Sequence, residues 1–263
     1  MEHTSAVAES TPKVAEPKFT LTFNIETLRM VAYITLVFMV GVGMTVTKLF
    51  VTVHVHDTVI FQIFGFNHIC NVFDHQPSRT ISALFVLFFI VPMAAFVICS
   101  YYRTYAAAKE GRVPMHLQAY NKIITPIVFL SVCYTYMWFV NAPDGEYGFI
   151  AHYLPYVALQ LALGLLAIQE VGYLIYTGAL PFGASVKLAK VYLAVLLLIT
   201  VVCQVAVFSL LLDHPILDSP NDPTARITFQ VLMYFYSFQA IIMPIFLAAR
   251  NRKNGLVNRI TFG

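Results

Sequence analysis

The stretch AHYLPYVALQLALGLLAIQEVGYLIY, residues Ala151 to Tyr176, holds one carboxylate, Glu170, and one histidine, His152, in an otherwise apolar or uncharged run. A helix needs about 20 mostly apolar residues to cross a bilayer. In lipid, only a helix or a closed barrel pairs every backbone N–H and C=O internally. The run is apolar on all sides, without the polar stripe of a soluble surface helix, and so predicts a spanning helix. The same reading outward gives five more spans. The six are Thr27 to Val53, Thr80 to Tyr102, Ile123 to Asn141, Phe149 to Tyr176, Leu188 to Leu212 and Ile227 to Ala249. The expected fold is all-α, one polytopic bundle of six transmembrane helices over residues 26–250. It is flanked by a flexible tail, 1–25, and a basic tail, 251–263. Composition agrees, with 59% hydrophobic and 11% charged residues, where soluble domains carry about a quarter charged.

Lys and Arg collect in cytosolic loops. Lys13, Lys18 and Arg29 lie at the N-terminal side. Arg103, Lys109, Arg112 and Lys122 lie around the second connection, Lys187 and Lys190 in the fourth, and Arg250, Arg252, Lys253 and Arg259 at the end. Only Lys48, Arg79 and Arg226 fall opposite. Both termini are therefore expected in the cytosol, and the segment up to Phe19, lacking a signal-peptide pattern, reads as a tail before an uncleaved anchor. Tyr134, Tyr136 and Trp138 read as an outer aromatic belt. Pro92, Pro126, Pro155 and Pro244 are expected to kink or unwind their helices. Cys99, Cys133 and Cys203 read as small packing residues, and Cys70, alone in a loop, implies no disulfide.

Chemistry-bearing residues fall into two sets. Within the spans, Gln160, Gln204, Gln230 and Gln239, with Glu170, form a candidate polar cavity. Glutamines in membranes serve equally as hydrogen bonds between helices. An intramembrane acid is a functional candidate because its burial is costly. Glu170, near the inner end of its helix, is expected to reach the headgroups or to pair with Lys187 or Lys190. Outside the membrane, the first loop reads HVHDTVIFQIFGFNHICNVFDHQPSR, from His54 to Arg79. His54, His56, Asp57, His68, Asp74 and His75, with His152 and His214, form a candidate outer-face site. Histidine is a metal ligand and a proton carrier near neutral pH, but the spacing matches no zinc motif. The bland reading is a polar loop at the headgroup layer, with His152 alone buried against the bundle. Whether a metal is bound is left open. The apolar run Val59 to Phe66, too short to span, is expected at the interface or as a cap over the bundle. Neither a P-loop, a G-x-S-x-G nor an H-E-x-x-H occurs. No cofactor is expected, and nothing suggests a nucleic-acid partner.

Several segments together resemble the Frag1/DRAM/Sfk1 superfamily of six-span membrane proteins. They are DHQPSRTISA, Asp74 to Ala83, leading into the second span; the pair Asn121–Lys122 opening the third; and His152 opening the fourth, with that helix's aromatic end. One departure is ITFQVLMYFY, Ile227 to Tyr236, where the family often carries a Glu-Trp pair. The resemblance implies lipid-linked, trafficking or scaffolding roles, such as glycolipid-anchor remodelling or autophagy modulation. It assigns no catalytic residue. The leading expectation is a non-enzymatic, lipid-associated or scaffolding component whose partners are membrane lipids and other membrane proteins. The alternatives are a small-solute transporter and a metal-dependent lipid hydrolase at the outer face. Which membrane holds the chain is not encoded in any motif.

Overall fold

The computed structural model describes residues 21–144, 148–212, 214–253 and 259–262. Six of its helical segments are long and apolar enough to cross a membrane. The first is α1, Ile25–Phe50. The second joins α3, Ser78–Phe85, to α4, Leu87–Lys109, and the third joins α5, Met115–Tyr134, to α6, Tyr136–Val140. The fourth and fifth are α7, Gly148–Tyr176, and α8, Val186–Leu211. The sixth joins α9, Pro223–Ser237, to α10, Met243–Asn251, through one π turn, Phe238–Ile242. Pro244 follows that turn. Its ring excludes the carbonyl four residues back and it lacks an N–H, so the helix relaxes just before it. The helices run on through Pro92, Pro126 and Pro155.

Side chains cap the starts of three spans, supplying backbone donors that would otherwise be unpaired in or near lipid. Asn24 accepts from the Glu26 N–H at 2.9 Å, Ser185 from Leu188 at 3.2 Å and Asp222 from Thr224 at 2.8 Å. Inside the spans, Thr104 and Thr200 donate to the carbonyls of Ser100 and Leu196, one turn back. The helix α7 is the most enclosed of the six and packs on α5, α6 and α8, while α1 packs on α3, α4 and α10.

The strand β1, Leu21–Asn24, pairs antiparallel with β2, Arg259–Phe262, Leu21 opposite Phe262 and Asn24 opposite Arg259. The first and last described segments thus meet at one end of the bundle, here the terminal end. The paired residues belong to the two stretches read from sequence as a flexible tail, 1–25, and a basic tail, 251–263. Residues 1–20 and 254–258 lie outside the described residues.

At the opposite end, the loop end, the connection between α1 and α3 folds back as a cap. A short helix, α2, spans Val59–Phe64 within it. Phe64 is fully buried, its ring 5.8–6.1 Å from those of Phe149, Tyr153 and Phe229. Gly65 turns the chain with a φ of +71°, and a Cβ there would collide with the Ser219 carbonyl. Trp138, read as part of the outer aromatic belt, does not present its ring at the surface. It is buried among Phe73, Phe139 and Tyr156, with ring centroids 4.8–5.6 Å away. Ser78 donates to the carbonyls of Gly43 and Val72, tying the DHQPSRTISA segment to α1. Cys133 is exposed on the apolar perimeter, while Cys70, Cys99 and Cys203 are buried, and all four are free.

Candidate functional site

The terminal half of the bundle holds four buried charges. Glu26 and Arg29 come from the first turns of α1, Arg103 from α4 and Glu170 from α7, each less than a tenth exposed. Glu170 Oε1 accepts from Arg103 Nη2 at 2.6 Å, and Arg29 pairs with Glu26. Two longer contacts close the ring: Arg29 Nη1 to Glu170 Oε2 at 3.7 Å, and Arg103 Nη1 to Glu26 Oε1 at 3.6 Å. Charges alternate around the ring and sum to zero. Ser100 donates to Glu170 Oε1, and its oxygen accepts from Gln169 at 3.0 Å and from Arg103 at 3.1 Å. The Arg103 guanidinium lies 4.0 Å from the Tyr173 ring centroid and that of Arg29 5.5 Å from Phe96.

This corrects the reading of Glu170 as a headgroup-seeking acid paired with Lys187 or Lys190. Both lysines are exposed, and its ion pairs are with Arg103 and Arg29. Arg103, counted among cytosolic charges, is part of the core. The sequence carried a faint signal in two i, i+3 pairs, Glu26–Arg29 and Ser100–Arg103, at the edges of apolar runs. Such neighbours share a helix face.

The intramembrane glutamines do not converge. Gln204 donates to Gln160 across the α7–α8 contact. Gln230 is half-buried and donates to the Tyr234 hydroxyl at 3.2 Å. Gln239 lies in the π turn, where its backbone carbonyl accepts from Tyr192 at 3.1 Å. The single candidate cavity lined by Gln160, Gln204, Gln230, Gln239 and Glu170 therefore separates into one interhelical pair, two isolated groups and one member of the charged ring.

Of the outer-face set, His54, His56, Asp57 and His214 are exposed, and His75 is half-buried. Contrary to the reading that His152 alone is buried, His68 is also buried, in the aromatic cap, stacked on Phe64 at 5.0 Å, and its Nδ1 accepts from the Cys70 N–H at 3.2 Å. Burial, with a small push from His152, lowers its pKa to about 3, so it packs neutral. Asp74 and His152 meet. His152 is fully buried, and its Nδ1 lies 2.8 Å from the Asn141 carbonyl. A carbonyl only accepts, so Nδ1 carries the hydrogen and Nε2 presents its lone pair. That lone pair faces Asp74 Oδ1 at 3.5 Å. Burial and the nearby Asp144 raise the Asp74 pKa to about 8, against the pull of Arg79. At neutral pH Asp74 thus keeps its proton and meets His152 without a hydrogen bond between them, where the cap touches the start of α7. Burial and the Asp74 charge also push the Cys70 thiol well up, leaving it an inert packing group. Among the described residues no three His, Cys, Asp or Glu side chains are grouped to hold a metal ion.

No protein-family model, curated protein or solved structure matches the chain.

Proposed function

We propose that this multi-pass membrane protein is a non-enzymatic, lipid-associated component that works through its lipid-facing perimeter and its cap, with both termini in the cytosol. The Gln204–Gln160 bond carries this reading. The two central glutamines bond each other between helices, as scaffold glutamines do, each leaving one amide atom without a partner, rather than converging with Gln230 and Gln239 on a shared passage as a transporter requires. The ring charges are likewise spent on one another. At the loop end, Asp74 and His152 are buried beneath the cap, at 4% and 0% exposure, away from any water or ester a hydrolase must reach. The resemblance of Asp74 to Ala83, Asn121–Lys122 and His152 to the Frag1/DRAM/Sfk1 superfamily points the same way, toward lipid-linked or scaffolding work with other membrane proteins.

The test is to incubate purified protein in mixed phospholipid vesicles and follow lipid composition by mass spectrometry, alongside the lipid retained through detergent purification. The expected result is retained lipid and unchanged composition. Lipid turnover that disappears in Asp74→Asn would overturn the reading in favour of the hydrolase.

A further inference from the structure

A cavity of about 50 Å³ lies beside the charged ring, bounded by α1, α4, α7, α8 and the sixth span. It has room for about four waters or a comparable length of lipid. Its walls are mostly apolar, Leu163, Ala167 and Leu247 among them. Two hydrogen-bond donors that line it have no acceptor, although Arg29 itself is ion-paired with Glu26 and Glu170, and the Glu170 Oε2 on the same wall is likewise without a hydrogen bond. Arg29, 6% exposed, has no acceptor for its Nε, and Tyr236, 3% exposed, has none for its hydroxyl. Buried polar groups left unmade are costly, so two in one lipid-embedded cavity point to something that fills it. The π turn passes Ala240 along the same wall, and such turns are frequent at functional sites.

The chemistry of the occupant follows from charge and depth. The two arginines and two glutamates cancel, so an added carboxylate or phosphate would leave an unbalanced charge in a low-dielectric site. The unpartnered N–H of Arg29 asks for an uncharged acceptor, and the Tyr236 hydroxyl can donate to the same one. The helix α1 is about 39 Å long at 1.5 Å per residue, against a hydrocarbon core of about 30 Å. It overhangs that core by about 4–5 Å at each end. Arg29 stands about 6 Å along it, at the edge of the hydrocarbon, where the ester carbonyls of glycerolipids lie. We propose that this cavity binds the ester end of a glycerolipid acyl chain, its carbonyl accepting from Arg29 and Tyr236 and its first methylenes against Leu163, Ala167 and Leu247. The proposal rests on the lipid-associated reading and names the lipid group it would hold.

The experiment uses nanodiscs of dialkyl, ether-linked phosphatidylcholine, which has no ester carbonyl, doped with a diester phosphatidylcholine carrying a diazirine close to its ester. After irradiation, adducts are mapped by mass spectrometry. They are expected on the cavity walls well above the level at Phe88 and Val91, which face outward at 63% and 66% exposure. Unlabelled diester lipid should compete, and oleate should not. Tyr236→Phe removes one donor and keeps the ring, and should cut cavity adducts about fivefold. Ala167→Leu fills the void and should abolish them. Adducts at Phe88 and Val91 should be unchanged in both variants. Should Ala167→Leu fail to fold, Tyr236→Phe decides. Cavity adducts no higher than at Phe88 and Val91, or insensitive to Tyr236→Phe, overturn the site, as does displacement by oleate as readily as by diester lipid. Such a result with lipid still retained through purification sinks this site alone; the broader reading falls only with lipid turnover.

Discussion

Removing the charge of Glu170 tests whether the ring is a unit. In Glu170→Gln the side chain keeps its shape but loses its charge beside Arg103 Nη2, 2.6 Å away, and Arg29 Nη1, 3.7 Å away. The ring is left with two arginines and one glutamate, an excess of one positive charge under full burial. Breaking a buried pair from one side costs about 3–5 kcal/mol, because the surviving charge stays desolvated. At about 2–4 °C per kcal/mol for a chain of this size, the melting temperature should fall by about 6–20 °C. Glu110 and Arg112 supply the control, since they meet at the same 2.6 Å with side chains 57% and 45% exposed. Such a pair contributes about 0–1 kcal/mol, so Glu110→Gln should move the melt by no more than about 4 °C. The double variant Glu170→Gln/Arg103→Gln restores neutrality and should recover a substantial part of the loss. Unfolding can be followed with a thiol-reactive dye in a Cys133→Ser background, since the remaining cysteines are buried. The reasoning is refuted if Glu170→Gln melts as Glu110→Gln does, or if the double variant is weaker than the single one.

Three further outcomes are expected. For pH, Asp74, whose pKa rises from 3.8 to about 8 on folding, loses stability as pH climbs toward 8, while His68, lowered from 6.5 to about 3, loses it as pH falls below 6.5. Protection of the cap amides in hydrogen exchange should therefore be flat between about pH 4 and 6.5, where the two offset, and fall by about 1.4 kcal/mol per unit between about 6.5 and 8; Asp74→Asn should abolish the alkaline fall and, with nothing left to offset His68, make protection rise with pH between about 4 and 6.5. Gly65→Ala places a methyl against the Ser219 carbonyl at a φ of +71° and should destabilise the cap by about 1–3 kcal/mol, read as increased cleavage of the loop by protease, whereas an unchanged cleavage rate argues that the cap does not dock on that loop. Tags at both termini or within Ala106 to Val113 should be reached from the cytosol and tags near Asp144 or Asp218 from the far side, and a cytosolic tag at Asp218 reverses the assigned sidedness.

What was legible in the sequence was local. Six runs apolar on every side read as spans because backbone in lipid has few alternatives, and Val59 to Phe66, apolar yet too short to cross, read as an interfacial segment or a cap, of which the structure shows the cap. The burial of His152 followed from its place at the head of an apolar helix. The charged ring was not legible, because Arg103 and Glu170 are 67 residues apart in the chain. A count of Lys and Arg by side treats a buried arginine and a solvated one alike. The glutamines misled for a related reason: an amide in a span signals a partner, but periodicity does not say whether that partner is another helix or a solute.

The ring and the cavity belong to one design problem. Four charges buried beside lipid cost more in desolvation than their mutual attraction returns unless geometry is close and every remaining hydrogen is placed. Each of the four has ion-pair partners, though the Glu26 oxygens and Glu170 Oε2 lack hydrogen bonds. Glu170 has Ser100 and Arg103, Glu26 has Arg29, and Arg103 has Ser100, both acids and the face of Tyr173. Arg29 has its two acids and the Phe96 face at 5.5 Å, but its Nε is without an acceptor and it borders the void with Tyr236. A helix pair serving only to hold α1 against α7 would be cheaper built from apolar residues of the same volume. The arrangement is better explained if the acids hold the guanidinium at a fixed depth with one edge spare, so that the spare edge, rather than the charge, is what the bundle offers to the lipid around it.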